Sequence, residues 1–395
     1  PELLEGALGP RVLRGGRSER SRLGVTAFLE QVPAPVTEVA RRLRGEGFRA
    51  WAVGGSLRDL IAGREVADWD LATDARPADV KSTFKKVVPT GEQHGTVTVI
   101  HGGQHIEVTT LRGEGQYSDG RRPDEVSYVD EIEDDLSRRD LTVNAIALDL
   151  ETGDVIDPVD GRGDLKRRRI RAVGEARERF SEDGLRPLRA VRFAATLGFD
   201  LDPSTSKAIP EALPTFRRVS AERVRDELQK LLAASPPRRG VDLLREVGLL
   251  PEILPELAEL VGVPASSERT GDLYEHSLRA LDALPSIVGL QLAALLHEAG
   301  AEAARQRLEA LQLPRHDQRF VLQILRHHDV SYDASWSNGR VRRFIREVGR
   351  ELVEPCLLLA EAVRADLPTP RDGEGAIAEL RRRALSEIEA GAALS

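Results

Sequence analysis

The 395-residue chain contains one cysteine, no methionine, and aromatic side chains at only 4% of its positions. The lone Cys356 excludes an intramolecular disulfide framework and a cysteine-built structural zinc site, and it fits a reducing, cytoplasmic setting. Methionine is missing even at position 1, so the native start is expected to lie upstream. No run approaches the roughly 20 apolar residues of a transmembrane helix, which excludes a helical membrane protein and a membrane partner. Positive charge is also in short supply, with 57 basic against 65 acidic residues and a net charge of −8. Spread evenly, that balance would argue against a nucleic-acid partner.

It is not spread evenly. Between Arg162 and Gly240 there are 19 Lys and Arg against 11 Asp and Glu, a local +8 that leaves −16 for the rest. A basic band in an acidic protein is the footprint of a place where phosphates are held. The length predicts about two to four domains, and the pattern along the chain divides it. Residues 1–34 show little periodicity and read as a loosely ordered extension. From 35 to about 160, strand and helix signals mix: apolar residues at helical spacing over 36–43, a strand over 48–53, a short helix after Gly55, and a strand holding Trp69 and Leu71. A helix follows over 78–84, then alternating Val97, Val99 and Ile106, Val108 around His101–Gly103 predict a hairpin, and a further strand is expected over 143–150. After Gly163 strand signals fade, and helices are predicted over 181–198, 220–234, 240–248, 274–284, 288–298, 304–311 and 317–328. The expected fold class is therefore α+β, a small head with a mixed or antiparallel sheet followed by an all-α remainder.

The first chemically informative stretch is Val53-Gly54-Gly55-Ser56-Leu57-Arg58-Asp59, followed by Asp68-Trp69-Asp70-Leu71. Glycines at a strand-to-helix turn let backbone N–H groups approach an anion, and the helix N-terminus adds a favourable dipole. Arg58 stands one turn into that helix, within reach of the same anion. Asp68 and Asp70 alternate along a strand, so both carboxylates face one way. Two acids on one face repel unless a cation lies between them, and a hard Mg²⁺ ion is the natural occupant. Glu107, on a later predicted strand, supplies a third oxygen if that strand pairs alongside.

In order and at this spacing, these motifs resemble the DNA polymerase β-like nucleotidyltransferases. The resemblance narrows with Arg138-Arg139-Asp140-Leu141-Thr142-Val143-Asn144-Ala145, Asp157-Pro158-Val159-Asp160-Gly161, Glu182-Asp183-Gly184-Leu185-Arg186, Arg189-Ala190-Val191-Arg192-Phe193 and Glu222-Arg223-Val224-Arg225-Asp226-Glu227. Successive motifs over residues 48–260 are similar to the signatures of class II tRNA nucleotidyltransferases, the CCA-adding enzymes and bacterial poly(A) polymerases. The resemblance implies a head over 35–160, a neck and body over 161–263 and a helical C-terminal region over 264–395. It implies template-independent addition of CTP and ATP to a tRNA 3′ end by two-metal phosphoryl transfer, with Asp68 and Asp70 as metal ligands and Glu107 as a third catalytic acid. Gly54, Gly55, Ser56 and Arg58 are then expected at the nucleotide phosphates. Asp140 beside Arg139, reinforced by Asn144, is expected at the ribose.

Glu182, Asp183 and Arg186 are expected within one helical turn, reading the base edge. A carboxylate accepts from the exocyclic amine that cytosine and adenine share, and a guanidinium donates to ring acceptors. Uracil and guanine present a carbonyl there instead. Arg189 and Arg192, with Arg223 and Arg225, read as either phosphate contacts or ion pairs of the neck. The loop Arg112-Gly113-Glu114-Gly115-Gln116-Tyr117-Ser118-Asp119-Gly120-Arg121-Arg122-Pro123 resembles the family's flexible element, which disfavours a CC-only enzyme and leaves CCA addition and A-only addition open. A poly(A) polymerase is the next alternative, although the segment 366–395 is not notably basic.

The C-terminal region carries His276, His297-Glu298 and His327-His328-Asp329. This resembles an HD phosphohydrolase module, in which a His-Asp step binds metal, and a metal-dependent phosphohydrolase is the competing activity. Here Glu298 replaces the aspartate. Its extra methylene is expected to displace the ligand oxygen by about 1.3–1.5 Å against a tolerance of about 0.2 Å, leaving a structural remnant.

Overall fold

The computed structural model describes residues 28–66, 68–113, 127–265, 271–365 and 375–392. Two compact units emerge. The first holds described residues up to 113, 127–139 and 144–162, and the second holds 140–143 and everything from 163 onward.

The first unit opens with α1 (Ala34–Gly45), which buries Val36, Val39, Ala40 and Leu43, the stripe that helical periodicity predicts. Strand β1 (Ala50–Val53) follows, then α2 (Gly54–Ile61), β2 (Trp69–Thr73), α3 (Pro77–Thr83), β3 (Val87–Gly91), β4 (Thr96–His101) and β5 (Gln104–Thr110). After the segment 114–126, which lies outside the described residues, come α4 (Ile132–Ser137), β6 (Ala147–Asp149) and β7 (Val155–Ile156). The seven strands form one mixed sheet in the order β3-β4-β5-β2-β1-β6-β7. β4 and β5 make the expected hairpin, closed by Gly102 and Gly103 at φ 56° and 80°, the left-handed pair that a two-residue turn demands. The pairing of β2 with β5 is parallel, and it sets Asp70 opposite Glu107.

Three local expectations are corrected. Asp68 precedes β2 rather than lying in it. The strand expected over 143–150 begins only at Ala147, because Thr142–Asn144 form a 3₁₀ turn; just before it Leu141 bridges Ala172, and the Thr142 N–H donates to the Arg171 carbonyl at 2.9 Å. The edge strands β3 and β7 were not anticipated. β3 is largely exposed and β7 has two residues, so neither carries a period-2 signal.

The second unit is helical with one exception. Its elements are α5 (Gly161–Arg167, beginning in the first unit), β8 (Arg169–Ile170), α6 (Ala176–Glu182), α7 (Arg186–Leu197), β9 (Asp200–Leu201), α8 (Pro203–Glu211), α9 (Ala221–Leu232), α10 (Arg238–Glu246), α11 (Leu273–Asp282), α12 (Val288–Leu296), α13 (Ala301–Ala310), α14 (Arg315–His327), α15 (Asn338–Val348), α16 (Val353–Ala362) and α17 (Ala376–Ala392). The parallel pair β8–β9 corrects the all-α expectation, and strands of two residues are too short to alternate. α7 packs against α9 and α10. The last three helices close around Tyr332, Trp336, Phe344, Leu357 and Leu380. Among the described residues, no helix is long and apolar enough to cross a membrane.

Candidate active site

β1 ends at Val53, and the chain turns into α2 through Gly54, whose φ of +73° only glycine adopts without strain. A methyl group at Gly54 would stand 3.1 Å from Asp70 Oδ2 and 3.5 Å from an Arg139 nitrogen. The bare glycine thus lets a carboxylate and a guanidinium close over the turn. Ser56 is buried and donates to the Val53 carbonyl at 2.9 Å, fixing the turn rather than facing outward. Arg58 is also buried. It grips Asp59 through two bonds of 2.7 and 3.0 Å and donates to Asn144 Oδ1 at 2.8 Å. The side-chain oxygen of Asn144 is therefore engaged by Arg58, and its backbone carbonyl accepts from Arg139 at 3.1 Å.

The half-buried Asp70 carboxyl is pushed up to about 6 by burial, then by the neighbouring charges of Glu107 and Asp68, against the pull of Arg139 and Arg58. Three acids gathered on and beside the central strands β2 and β5 hold unfavourable charge that a divalent cation would relieve, and all their donors are hard oxygens. The residues fit Mg²⁺.

Asp135, which sequence reasoning did not single out, is buried on α4 and accepts from Arg139 Nε at 3.2 Å and from its terminal nitrogen at 3.0 Å. Burial pushes this carboxyl up, but Arg139, Arg138 and the Arg112 N–H together hold it below the ordinary range. Its signal was the i, i+4 spacing to Arg139.

In the second unit, Asp140 accepts from Arg189 Nε at 2.7 Å and from the Leu141 N–H at 2.8 Å. The stretch 140–143 is pinned by Asp164. That acid is fully buried and accepts from Thr142 Oγ1 at 2.8 Å, from Arg171 at 2.7 Å and from Arg167 at 2.9 Å. Glu227, also buried, takes Arg192 at 2.5 Å and Arg189 at 3.6 Å. Arg189 and Arg192 both lie in ion pairs. Asp140 and then Glu227 hold Arg189 more firmly protonated than usual, whereas burial lowers Arg192. Arg225 pairs with Asp226 at 2.8 Å.

Glu182, Asp183 and Arg186 do not share one helical turn. α6 ends at Glu182, Asp183 is extended, and α7 begins at Arg186. At the break Gly184 lets the Thr215 backbone pack close, since a methyl group there would meet the Thr215 carbonyl oxygen at 2.5 Å. The Asp183 side chain accepts the Leu185 N–H at 3.0 Å, starting the second helix. Glu182 pairs with Arg186 across the break and with Arg179 at 3.0 Å, while Asp183 pairs with Arg223 at 2.7 Å.

The C-terminal histidines are gathered more closely than expected. The ligating atoms of His276, His297 and Glu298 lie within 4.8 Å of one another, and Glu298 Oε1 stands 3.5 and 3.4 Å from the two imidazole Nε2 atoms. Glu298 thus lies beside both histidines. His328, not His327, joins them, its ring 5.8 Å from that of His297. Within the family-like loop only Arg112 and Gly113 fall among the described residues.

The chain matches the poly A polymerase head domain family over residues 50–171 and the family described as the probable RNA and SrmB-binding site of polymerase A over residues 198–260. It is 42% identical over 278 residues to the CCA-adding enzyme of Geobacillus stearothermophilus, covering 70% of this chain and 65% of that protein. It is 44% identical over 225 residues to the CCA-adding enzyme of Lactobacillus johnsonii, covering 57% and 56%. These matches span less than two thirds of the length of either relative. The crystal structure of a Bacillus stearothermophilus CCA-adding enzyme in complex with CTP aligns at a TM-score of 0.71 and 35% identity, covering 90% of this chain and 83% of that one. A tRNA nucleotidyltransferase complexed with a primer tRNA and an ATP analogue shares the fold, at a TM-score of 0.63 and 23% identity.

Proposed function

The chain belongs to the class II CCA-adding enzyme family, and we propose that it adds the CCA terminus to tRNA from CTP and ATP. The observation that carries this reading is the acidic cluster of Asp68, Asp70 and Glu107 at the edge of a glycine turn that Arg139 overhangs. Asp68 and Asp70, with Glu107 as a third oxygen, would hold Mg²⁺. Bound there, the metal neutralises triphosphate charge and acidifies the attacking hydroxyl.

The remaining work falls to the chain itself. The half-buried start of α2 at Gly54 and Gly55 offers backbone N–H groups to the nucleotide's phosphates. Arg139, held by Asp135, would offer its remaining N–H donors to the nucleotide. The tRNA 3′-hydroxyl attacks the α-phosphorus, a P–O bond forms, the bond to the β-phosphate breaks, and pyrophosphate leaves while the proton passes to solvent. Asp140 is suited to the ribose hydroxyl. In the neck, Asp183 and Arg186 present an acceptor and a donor for cytosine or adenine, after exchanging their present partners Arg223 and Glu182 for the base. Arg189, Arg192, Arg223 and Arg225 contribute to the positive field that receives RNA.

The test is purified protein with Mg²⁺, CTP and ATP, offered tRNA ending at the discriminator base and tRNA ending in CC. Extension of both to CCA is expected. Extension of the second alone would mark an A-adding enzyme, long A tracts would mark a poly(A) polymerase, and no extension would overturn the reading.

A further inference from the structure

Arg139 is useful only if its fork is aimed. An arginine has four rotatable side-chain bonds, and a half-exposed one samples many rotamers unless something grips it. In this head the grip comes from Asp135. Two bonds of 3.0 and 3.2 Å run from one edge of the guanidinium to a single carboxylate oxygen, and a third of 3.1 Å runs from another nitrogen to the Asn144 carbonyl. The Arg139 side chain keeps 22% of its surface exposed, whereas that of Asp135 keeps 4%. The acid is hidden, and the arginine stays partly open to solvent.

The other Asp135 oxygen accepts the Arg112 N–H at 3.2 Å, just where Arg112 bridges Tyr128 and the Gly113 N–H donates to the Ser127 carbonyl at 2.9 Å. One buried carboxylate therefore ties the Arg112–Tyr128 stem to the guanidinium beside Gly54 and Asp70. From Asn144 the network continues to Arg58 and Asp59.

We propose that Asp135 is a positioning residue for nucleotide binding, acting through Arg139 without touching the nucleotide. This rests on the reading of the head as a nucleotidyltransferase. The carboxylate supplies both geometry and charge: bonds to an ionised acceptor are roughly twice as strong as neutral ones, and a two-point contact fixes the plane of the fork. Asparagine at this position keeps the shape and can still accept the Arg112 N–H, but it gives up the charge that holds Arg139.

The experiment is a double-mutant cycle on the full chain with D135N, R139A and the double variant, each assayed for KM and kcat with CTP, ATP and tRNA and each melted thermally. D135N is expected to raise the nucleotide KM by about tenfold, with kcat changed less than about threefold and the tRNA KM unmoved, the pattern of lost ground-state binding. R139A is expected to do at least as much, and the double variant no more than R139A alone, because one interaction has been removed twice. Additive losses, an unchanged nucleotide KM in D135N, or equal increases in nucleotide and tRNA KM would overturn the proposal. If D135N folds poorly, D135E carries the test: it keeps the charge but adds a methylene that displaces the two-point grip, so it should raise the nucleotide KM, and an unchanged nucleotide KM would overturn the proposal. Wild-type protein that adds no nucleotide would refute the enzymatic reading itself, whereas an active wild type with an additive cycle would refute only the role of Asp135.

Discussion

Replacing Asp70 with asparagine is expected to stabilise the metal-free protein while ending nucleotide addition. The carboxyl is raised from 3.8 to about 6, chiefly by burial and then by Glu107 and Asp68. Each unit of pKa is worth about 1.4 kcal/mol, so ionised Asp70 costs the native state about 3 kcal/mol at pH 7.5. Because Asp70 is partly open to water, that figure is an upper bound. The sign follows from proton counts. Between about pH 4 and 6 the native state binds more protons than the unfolded chain, so wild-type stability falls as pH rises through this window and then levels off. The amide of the D70N variant cannot ionise and escapes the loss.

The D70N advantage should therefore be near its maximum at pH 7.5 and vanish by about pH 4. At about 2–4 °C per kcal/mol for a unit of this size, the Tm gain at pH 7.5 reaches up to roughly 6–12 °C. Millimolar Mg²⁺ should narrow the difference, because it binds the native wild type and has lost a ligand in the variant. The assay is thermal and urea unfolding of both proteins in chelator at pH 4, 5.5 and 7.5, repeated with Mg²⁺. A D70N protein less stable than wild type at pH 7.5, or a difference independent of pH, would refute the picture of an acid held against its own preference.

Two further substitutions probe the backbone that shapes the site. Gly54→Ala places a methyl group 3.1 Å from Asp70 Oδ2 at a φ of +73°, so it should cost about 1–2 kcal/mol in a thermal melt. It should also lower kcat for nucleotide addition by at least about tenfold, and a variant with wild-type kcat would show that the close approach of Asp70 to the turn is dispensable. Gly184→Ala forces a methyl group against the Thr215 backbone at 2.5 Å, where no flexible side chain can yield, and should cost about 1–3 kcal/mol. Competition between CTP and UTP should also show weakened selectivity in that variant, and unchanged selectivity would detach the helix break from base choice.

Much of this molecule is written in local sequence. The apolar spacing over residues 36–43 specifies a helix because those four side chains fall on one buried stripe. Gly102-Gly103 specifies a hairpin because both positions need positive φ. The order of the glycine turn, the acidic pair and the arginine motifs brought the family into view, because each is a short segment whose chemistry its neighbours complete.

What the sequence could not decide were the partnerships between distant segments. Glu107 becomes a neighbour of Asp70 only because β5 pairs in parallel with β2, a choice made by the whole sheet and not by either strand. Glu182 and Arg186 fall in two helices, with the Thr215 backbone lying against Gly184 between them, and no helical periodicity records that contact. Whether His327 or His328 meets His297 turns on one residue of rotation about α14, about 100° of helix, and packing fixes that angle. Asp135 and Asp164 show the same limit: arginines three or four residues away are legible in the sequence, but a buried acid looks there like any surface acid, and only tertiary structure buries it. Periodicity and turn chemistry are properties of a few consecutive residues, whereas a charged site is a sum of pair interactions among residues brought together only when the chain folds.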